Sequence, residues 1–363
     1  MINGEILNIC SAFSLDGNPV DCISYGTGHI NSTMLVQTDT GARYILQQIN
    51  NGIFRDVDGL MNNIVSVTSH VIKKRIASGG DPSRCSLRFL PSYDGKYYTC
   101  RGGKYFRMYG YVGDAVSYDV ADDPGLTRLL GSAVGEFQLA LGDFDASGLV
   151  ETIPDFHNTE KRYRDFEQAV AADVTGRARD VAEEIEFVRS RREMYGCVVD
   201  MIAEGELPLR VTHNDTKLNN VLFDSESGKV LCVIDLDTVM PGSVLYDIGD
   251  AVRFCAASAE EDERDLDKMS FRLENYRGFC EGFLSRCGDS LTEKEKELIP
   301  FSCRLMTIEC GMRFLADHIN GDTYFHITRE GQNLDRARTQ FKLVSDMEKR
   351  DREMKKVIDD ILA

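Results

Sequence analysis

Residues 213–220 read HNDTKLNN, and residues 230–238 read VLCVIDLDT. The first stretch places Asp215 and Asn220 five positions apart in a polar segment, and the second places Asp235 directly after five apolar residues. A polar segment of this kind is typical of a loop, whereas the apolar run predicts a buried strand. The spacing therefore predicts a loop that displays a carboxylate and an amide, followed by a strand that ends in a second carboxylate.

These side chains suit the transfer of a phosphoryl group from ATP to a hydroxyl. A carboxylate must orient the attacking hydroxyl, oxygen ligands must hold Mg2+ against the phosphates, and a cation neutralises charge on the transferred group. We assign the base to Asp215, the metal to Asn220 and Asp235, and the cation to Lys217. The alternative is a polar turn and a strand end without chemistry, since the spacing alone recurs by chance in roughly one chain in a hundred.

The pattern of apolar residues divides the chain into two parts. Strand patterns and one helix, at about residues 56–74, occupy the stretch to Val112, and helical patterns dominate from about Pro124. Two of those helical patterns cover residues 183–202 and 334–362. We therefore predict an α+β protein, with a nucleotide-binding lobe at 1–112 and a catalytic and substrate-binding lobe at 113–363. A hinge near 109–113 and a cleft are expected between them.

A glycine-containing segment, YGTGHINST, lies far upstream of the catalytic stretch. Gly26 and Gly28 stand at a turn between two predicted strands, where bare backbone is able to approach phosphates. His29 and Asn31 are expected to shape that loop, and Tyr109, at the hinge, is the remaining nucleotide contact. The alternative for the glycine pair is an ordinary hairpin turn.

The segment YILQQI occupies the place where protein kinases carry a lysine that pairs with a helix glutamate. Gln47 stands at the lysine position, and the helix at residues 56–74 contains no glutamate. Because both members of the ion pair are missing, we expect a neutral solution in which Gln47 or Gln48 donates an amide hydrogen bond. Gln47 is therefore included among the nucleotide contacts.

The segment after the metal aspartate is too short for a protein kinase. Protein kinases insert a long activation loop there, but only 11 residues separate Asp235 from Asp247, and Asn214 replaces the arginine that pairs with a loop phosphate. Both features indicate a small acceptor molecule. We expect Asp247 to hydrogen-bond the backbone of the catalytic loop, with catalysis as the less favoured role.

Several phrases carry a resemblance to a known family: YGTGHINST, YILQQIN, PLRVTHNDTKLNN, IDLDTVMPGS, YDIGD and ECGMRFLAD. The chain resembles the aminoglycoside phosphotransferase and choline kinase superfamily over nearly its whole length. The resemblance implies a bilobal, protein-kinase-like fold, with a small β-rich N-terminal lobe and a larger helical C-terminal lobe. It also implies that Asp215 is the base, that Asn220 and Asp235 ligate the metal, and that His213 braces the loop.

Within that superfamily, these sequence segments are most similar to those of kinases that phosphorylate the anomeric hydroxyl of N-acetylhexosamines. The resemblance implies that the acceptor contacts Asp215, Arg313 and Tyr324. Arg313 stands in an otherwise apolar helical pattern, where a charged side chain needs a partner or a ligand. The alternative is a structural ion pair between Arg313 and an acid such as Asp250 or Asp317.

Composition limits the partners. The formal net charge is −17 without a basic block, so neither nucleic acid nor an anionic membrane is expected as a partner. No apolar run has the length of a membrane span and the first residues lack a signal-peptide pattern, so we expect a cytoplasmic protein. The 11 cysteines contain no CxxC pair and are expected to be reduced thiols. The sequence leaves the oligomeric state open.

Two other functions remain open. One is a kinase of another small acceptor, such as an aminoglycoside, whose positive charges suit an acidic chain, or choline. Choline is less attractive because the chain has no Trp for an aromatic cage, although its 14 Tyr offer a substitute. The other is a nucleotide-binding protein without activity, for which only Gln47 argues.

Overall fold

The structure is a computed structural model, and it describes residues 4–26, 31–121 and 123–363. Its backbone contacts divide the chain into two compact units, each of which is assembled from three segments. The first unit comprises Met1–Val116, Ser147–Pro154 and Leu222–Met240. The second comprises Ser117–Ala146, Asp155–Val221 and Pro241–Ala363. The functional division predicted at residues 112 and 113 stays a prediction.

The first unit is built on a five-stranded antiparallel sheet with the order β1-β2-β3-β5-β4. Its strands are β1 (Pro19–Ser24), β2 (Ser32–Thr38), β3 (Arg43–Ile49), β4 (Thr99–Arg101) and β5 (Lys104–Gly110). The helices α1 (Gly4–Cys10) and α2 (Val57–Ala77) belong to the same unit. The mixed strand and helix content predicted from the sequence is confirmed.

One face of this sheet packs on α1. Val36 of β2, Leu46 of β3 and Met108 of β5 form a buried cluster with Ile9 and Phe13. Burial of such side chains contributes about 1.5–3 kcal/mol each. This cluster holds the three central strands together, and β3 and β5 also carry side chains of the candidate site.

Helix α2 begins after Asp56, whose side chain caps it by accepting the backbone N–H of Gly59. The helix extends to Ala77, three residues beyond the predicted end. Asn63, which is buried, donates its side-chain amide to the carbonyl oxygens of Val150 and Val239. The helix thereby fixes the two later segments of the first unit, including the one that contains Asp235.

The second unit is helical. Its helices are α3 (Pro124–Ala140), α4 (Thr159–Ala172), α5 (Ala182–Arg189), α6 (Cys197–Ala203), α7 (Val244–Cys255), α8 (Leu273–Cys287), α9 (Glu293–Glu297), α10 (Ile299–Ile319), α11 (Gln332–Lys349) and α12 (Asp351–Leu362). The remaining strands are divided between the two units. The first unit contains β6 (Ala115–Val116) and β9 (Val230–Val233), the second contains β7 (Arg210–Thr212), and the segment boundaries fall within β8 (Val221–Asp224) and β10 (Met240–Gly242). Strands β6, β8 and β9 form one small sheet, and β7 pairs with β10.

Glycines allow α3 and α8 to pack with their backbones in close approach. A Cβ atom added at Gly131 of α3 would lie 2.0 Å from the carbonyl oxygen of Phe279, and one at Gly282 of α8 would lie 2.0 Å from that of Arg128. No side chain fits into these gaps. The pairing orients α3, whose Gln138 reaches the candidate site.

Two predicted helices are divided. The pattern at residues 183–202 forms α5, a short 3-10 turn and α6, because Tyr195 is buried in the bend and its hydroxyl donates to the carbonyl of Val188. The pattern at 334–362 forms α11 and α12 with a break at Arg350. Helical periodicity persists through both bends, which is why the sequence pattern did not mark them. Among the helices of the described residues, none has the length and apolar character needed to cross a membrane.

Candidate active site

The predicted catalytic segment lies in the second unit and begins where β7 ends. Asn214 has a φ of +64°, which lies in the left-handed region. Asn occupies that region more readily than most residues because its short polar side chain bonds locally. The backbone turns at Asn214 and presents Asp215, and a 3-10 turn at Leu218–Asn220 then leads into β8.

Asp247, on α7, holds the start of this loop. Its carboxylate accepts the backbone N–H groups of His213 at 3.0 Å and Asn214 at 2.7 Å, together with the side-chain amide of Gln138 at 2.9 Å. The side chain is fully buried. Burial raises the pKa of Asp247, and the charge of His213 and these donors oppose the rise. The interpretation that Asp247 bonds the loop backbone is therefore confirmed.

The middle of the loop is held by Asp250, also on α7. Its carboxylate accepts the backbone N–H of Thr216 at 3.1 Å and pairs with the buried guanidinium of Arg253 at 2.8 Å. The hydroxyl of Thr216 donates to the carbonyl oxygen of Asp247. One turn of α7 thus fixes the residues on both sides of Asp215.

Asp215, Lys217 and Asn220 lie together. The Lys217 ammonium is 2.8 Å from one carboxylate oxygen of Asp215, and the Asn220 amide donates to the other at 3.0 Å. Burial by itself raises the pKa of Asp215, but the charges of Lys217 and His213 and these hydrogen bonds outweigh it, so the pKa is lowered. The Asp215 charge in turn raises the pKa of Lys217. The geometry therefore gives an ionised carboxylate beside an ammonium.

The amide of Asn220 has a defined orientation. Its nitrogen donates both to the Asp215 carboxylate and to the Asp215 carbonyl oxygen, the latter at 2.9 Å. This use of the nitrogen leaves the amide oxygen as the atom suited to a hard cation. The residue therefore fits a role as a metal ligand, as the spacing predicts.

Asp235 belongs to the first unit, where it follows β9 and Ile234. It is exposed and has a φ of +58°, in the left-handed region. Among the described residues, no group of three or more His, Cys, Asp or Glu side chains is arranged to hold a metal ion. A Mg2+ ion at Asp235 or Asn220 would take its remaining oxygen ligands from water or from phosphate groups.

The neighbouring Asp237 is buried and anchors this segment to the sheet. Its carboxylate forms an ion pair with Arg107 of β5, whose side chain is 3% exposed, and accepts the side-chain amide of Asn31. Burial by itself lowers the pKa of the Arg107 guanidinium. The charge and hydrogen bond of Asp237 outweigh this effect, so the pKa is raised. Neither Arg107 nor Asp237 was identified from the sequence. The available signal was an arginine inside the apolar strand pattern KYFRMYG.

Gln47 on β3 bonds this ion pair. Its amide oxygen accepts two hydrogen bonds from Arg107, at 3.0 and 2.8 Å, and its nitrogen donates to Thr33. The expected amide hydrogen bond is present, since Gln47 donates to Thr33, but the arrangement is not neutral, because Arg107, directly opposite Gln47 on β5, supplies a cation. Placing the charge on the adjacent strand removes the need for a charged residue at position 47.

The other predicted nucleotide contacts are also in the first unit. Gly26 has a φ of +75°, which only glycine adopts without strain. Tyr109 lies on β5 against Phe89, and burial raises the pKa of its phenol. Gly28 and His29 lie outside the described residues. The role of these residues toward a nucleotide stays a prediction.

Two of the predicted acceptor residues, Arg313 and Tyr324, lie near each other in the second unit, because both contact Phe325. Arg313, on α10, stacks on Phe156 and Phe325, with its guanidinium carbon 5.3 and 5.5 Å from the ring centroids. Tyr324 contacts Phe325 edge-on at a centroid distance of 4.8 Å, and 62% of its surface is exposed.

The proposed structural partners of Arg313 are occupied elsewhere. Asp250 pairs with Arg253, and Asp317 accepts backbone N–H groups from the segment that contains Tyr324. Throughout the described part of the chain, no carboxylate lies within ion-pair distance of Arg313. The alternative of a structural ion pair is therefore wrong.

The family follows from comparison with known proteins. Residues 21–279 match the phosphotransferase enzyme family (APH), and the chain belongs to this family. Its fold is kinase-like. An uncharacterized kinase-like protein of Caenorhabditis elegans is 34% identical over 124 residues, and the match covers 33% of this chain and 30% of that relative.

Solved structures share the fold. An aminoglycoside phosphotransferase from Alicyclobacillus acidocaldarius aligns with a TM-score of 0.60 and 12% identity, over 98% of this chain and 95% of its own. An amicoumacin kinase in complex with AMP-PNP and Ca2+ aligns with a TM-score of 0.60 and 13% identity, over 94% and 93%. A choline kinase from Cryptosporidium parvum aligns with a TM-score of 0.56 and 12% identity, over 99% of each chain.

Proposed function

We propose that this protein is an N-acetylhexosamine 1-kinase. It transfers the γ-phosphoryl group of ATP to the anomeric hydroxyl of N-acetylglucosamine or N-acetylgalactosamine and uses Mg2+. The main alternative is a family member that phosphorylates another small acceptor, such as choline or an aminoglycoside. The amicoumacin kinase, solved with a nucleotide analogue and a divalent cation, supports the nucleotide and metal requirement.

The residues divide the work as follows. Asp215 orients the acceptor hydroxyl and accepts its proton late in the transfer, for which its ionised state is suited. Lys217, beside it, offers positive charge to the transferred group. Asn220 and Asp235 would hold the Mg2+, which when bound neutralises phosphate charge. A hemiacetal hydroxyl is more acidic than a primary alcohol, so little proton transfer is needed before attack.

The proposed choice of acceptor rests on the position of two arginine side chains. Two guanidinium groups, of Arg313 and Arg162, lie over the same Phe156 ring, at 5.3 and 5.9 Å from its centroid. Arg162 also donates two hydrogen bonds to the Phe156 carbonyl oxygen. Its pKa is lowered by burial and by the charge of Arg313. Among the described residues, neither arginine forms an ion pair with a carboxylate.

This pair of cations disfavours a cationic acceptor. Two like charges placed within a few ångströms of an ammonium group raise the free energy of binding it. A sugar instead offers hydroxyl and acetamido oxygens, which accept hydrogen bonds from guanidinium groups. Exposed Tyr324 supplies an aromatic face at the same place. The arrangement therefore favours an oxygen-rich neutral sugar over choline or an aminoglycoside.

The test is ADP release with a panel of N-acetylglucosamine, N-acetylgalactosamine, choline and an aminoglycoside. We expect turnover with the two sugars, and phosphorus NMR of the product should show coupling to the anomeric proton. A methyl glycoside should not react, whereas a 6-deoxy sugar should. Turnover only with the cationic acceptors, or coupling to the C6 protons, contradicts the proposal.

Substitution of Arg313 tests whether this side chain binds the acceptor. Arg313→Gln should raise KM for the sugar about 10-fold or more through the loss of charge-assisted hydrogen bonds, while KM for ATP stays within about twofold. Arg189→Gln is the matched control, because Arg189 pairs with Glu167 on the exposed surface. Equal kinetics for the two variants would remove Arg313 from the acceptor site.

A further inference from the structure

His157 has no part in the proposed chemistry, yet it contacts the catalytic loop. It lies in the second unit just before α4, and only 8% of its surface is exposed. Its Nε2 atom is 3.3 Å from the carbonyl oxygen of Asn214, the residue that precedes Asp215. Its Nδ1 atom is 2.7 Å from a carboxylate oxygen of Glu309 on α10.

Glu309 is a fixed anchor for this ring. It is buried, and its second carboxylate oxygen accepts the hydroxyl of Thr159. Burial opposes its charge, but His157, Thr159 and Arg313 outweigh that effect and keep its pKa lowered. Both neighbours of the His157 ring, a carboxylate and a carbonyl, are hydrogen-bond acceptors. The ring therefore serves as the donor in this chain of contacts.

The peptide unit between Asn214 and Asp215 is consequently held at both ends. Its carbonyl oxygen faces His157, and its N–H donates to Nδ1 of His213 at 3.2 Å. Left-handed backbone such as that of Asn214 costs about 1–3 kcal/mol and persists only where surrounding contacts determine it. Rotation of this peptide plane would move the Asp215 carboxylate, because Asp215 is the next residue.

We propose that His157, oriented by Glu309, is a positioning residue that fixes the Asn214–Asp215 peptide and thereby aims the catalytic carboxylate. The inference rests on the role of Asp215 in the proposed function. The same segment also links to the acceptor site, since Phe156 supports Arg313, which lies one turn after Glu309 on α10. Acceptor contact and carboxylate position thus share one support.

The test is a double-mutant cycle. His157→Leu should lower kcat about 10–100-fold, since a misplacement of about 1 Å at a reacting group costs on the order of 100-fold. KM for ATP should stay within about twofold. In an Asp215→Asn background, His157→Leu should lower kcat by less than about threefold, because the brace acts through the carboxylate that is already removed.

Glu309→Gln is the conservative control. The glutamine amide is able to donate to Nδ1, which leaves Nε2–H directed at the Asn214 carbonyl, so kcat should fall much less than in His157→Leu. Thermal melting of every variant shows how much of each change is lost stability.

Different outcomes test the positioning role of His157 and the catalytic role of Asp215. The positioning role is overturned if His157→Leu lowers kcat by the same factor in both backgrounds, or if Glu309→Gln and His157→Leu lose equal activity at equal melting temperature. A wild-type kcat in Asp215→Asn instead overturns the catalytic assignment of Asp215.

Discussion

Two buried aspartates, one in each unit, hold predicted functional segments in different ways. Asp247, in the second unit, accepts hydrogen bonds from two backbone N–H groups and one side-chain amide. Asp237, in the first unit, is matched by the Arg107 guanidinium and the Asn31 amide. The first fixes the conformation of a loop, whereas the second joins a segment to the strands of a sheet.

The difference follows from what each position must hold. The loop at Asn214 adopts left-handed backbone, and capture of its N–H groups restrains that conformation directly. The segment at Asp237 adjoins β5, where a long side chain is available across the sheet. Burial raises the pKa of Asp247, whereas the ion pair with Asp237 raises the pKa of the Arg107 guanidinium. Each aspartate should therefore respond differently to substitution of its surroundings.

The largest expected effect is the loss of turnover when the proposed base in the second unit is replaced. Asp215→Asn should lower kcat about 100- to 10,000-fold, the usual contribution of a positioned general base. The change is isosteric, so KM for ATP and the melting temperature should stay near the wild-type values. Steady-state kinetics with N-acetylglucosamine measure it, and a near wild-type kcat would place the base elsewhere.

Loss of the ion pair in the first unit should lower the free energy of unfolding. Arg107→Met removes the guanidinium and leaves Asp237 buried without a counter-charge, which should cost about 3–5 kcal/mol. Urea unfolding measures the free energy of unfolding. The control is Arg189→Met, because exposed pairs such as Arg189–Glu167 contribute at most about 1 kcal/mol. Equal losses in the two variants would mean that the buried pair is not the support of this segment.

The pH dependence of turnover tests the charge balance at Asp215. The ammonium of Lys217 contributes to the lowered pKa of that carboxylate, so Lys217→Met should raise the pKa. The wild-type carboxylate stays ionised as the pH falls until its lowered pKa is reached. The acidic limb of kcat should therefore move to higher pH in Lys217→Met and stay in place in Lys217→Arg. Profiles that coincide for both variants would contradict the pairing.

The smallest expected effect concerns the glycine turn in the first unit. Gly26 and Gly41 both have positive φ, +75° and +87°, and among the described residues no atom outside the adjacent residues lies within 4 Å of a Cβ atom added at either. Alanine at either should cost about 1–2 kcal/mol of stability through left-handed strain. Only Gly26→Ala should also raise KM for ATP, since Gly41 lies in the turn between β2 and β3. A matching rise in both variants would reduce Gly26 to an ordinary turn residue.

The sequence predicted features that depend on neighbours along the chain. Asp215, Lys217 and Asn220 fall within six residues, so a loop necessarily brings them close, and the structure does so. The spacing also predicts a buried stripe of Leu334, Ala337, Phe341, Val344 and Met347; four of these side chains are buried, and Leu334 is half-buried. By contrast, the breaks at Tyr195 and Arg350 preserve helical periodicity on both sides, and no local signal marks them.

The sequence by itself therefore determined the family, the α+β class and the close spacing within the candidate catalytic loop, because these depend on short-range spacing and on the order of motifs. Tertiary structure alone decided the partners. Gln47 was singled out from the sequence, but its bond to Arg107 joins residues 60 positions apart, and His157 meets Glu309 across 152 positions. A charged or polar side chain must find a partner when buried, but only the packing of strands and helices selects which one.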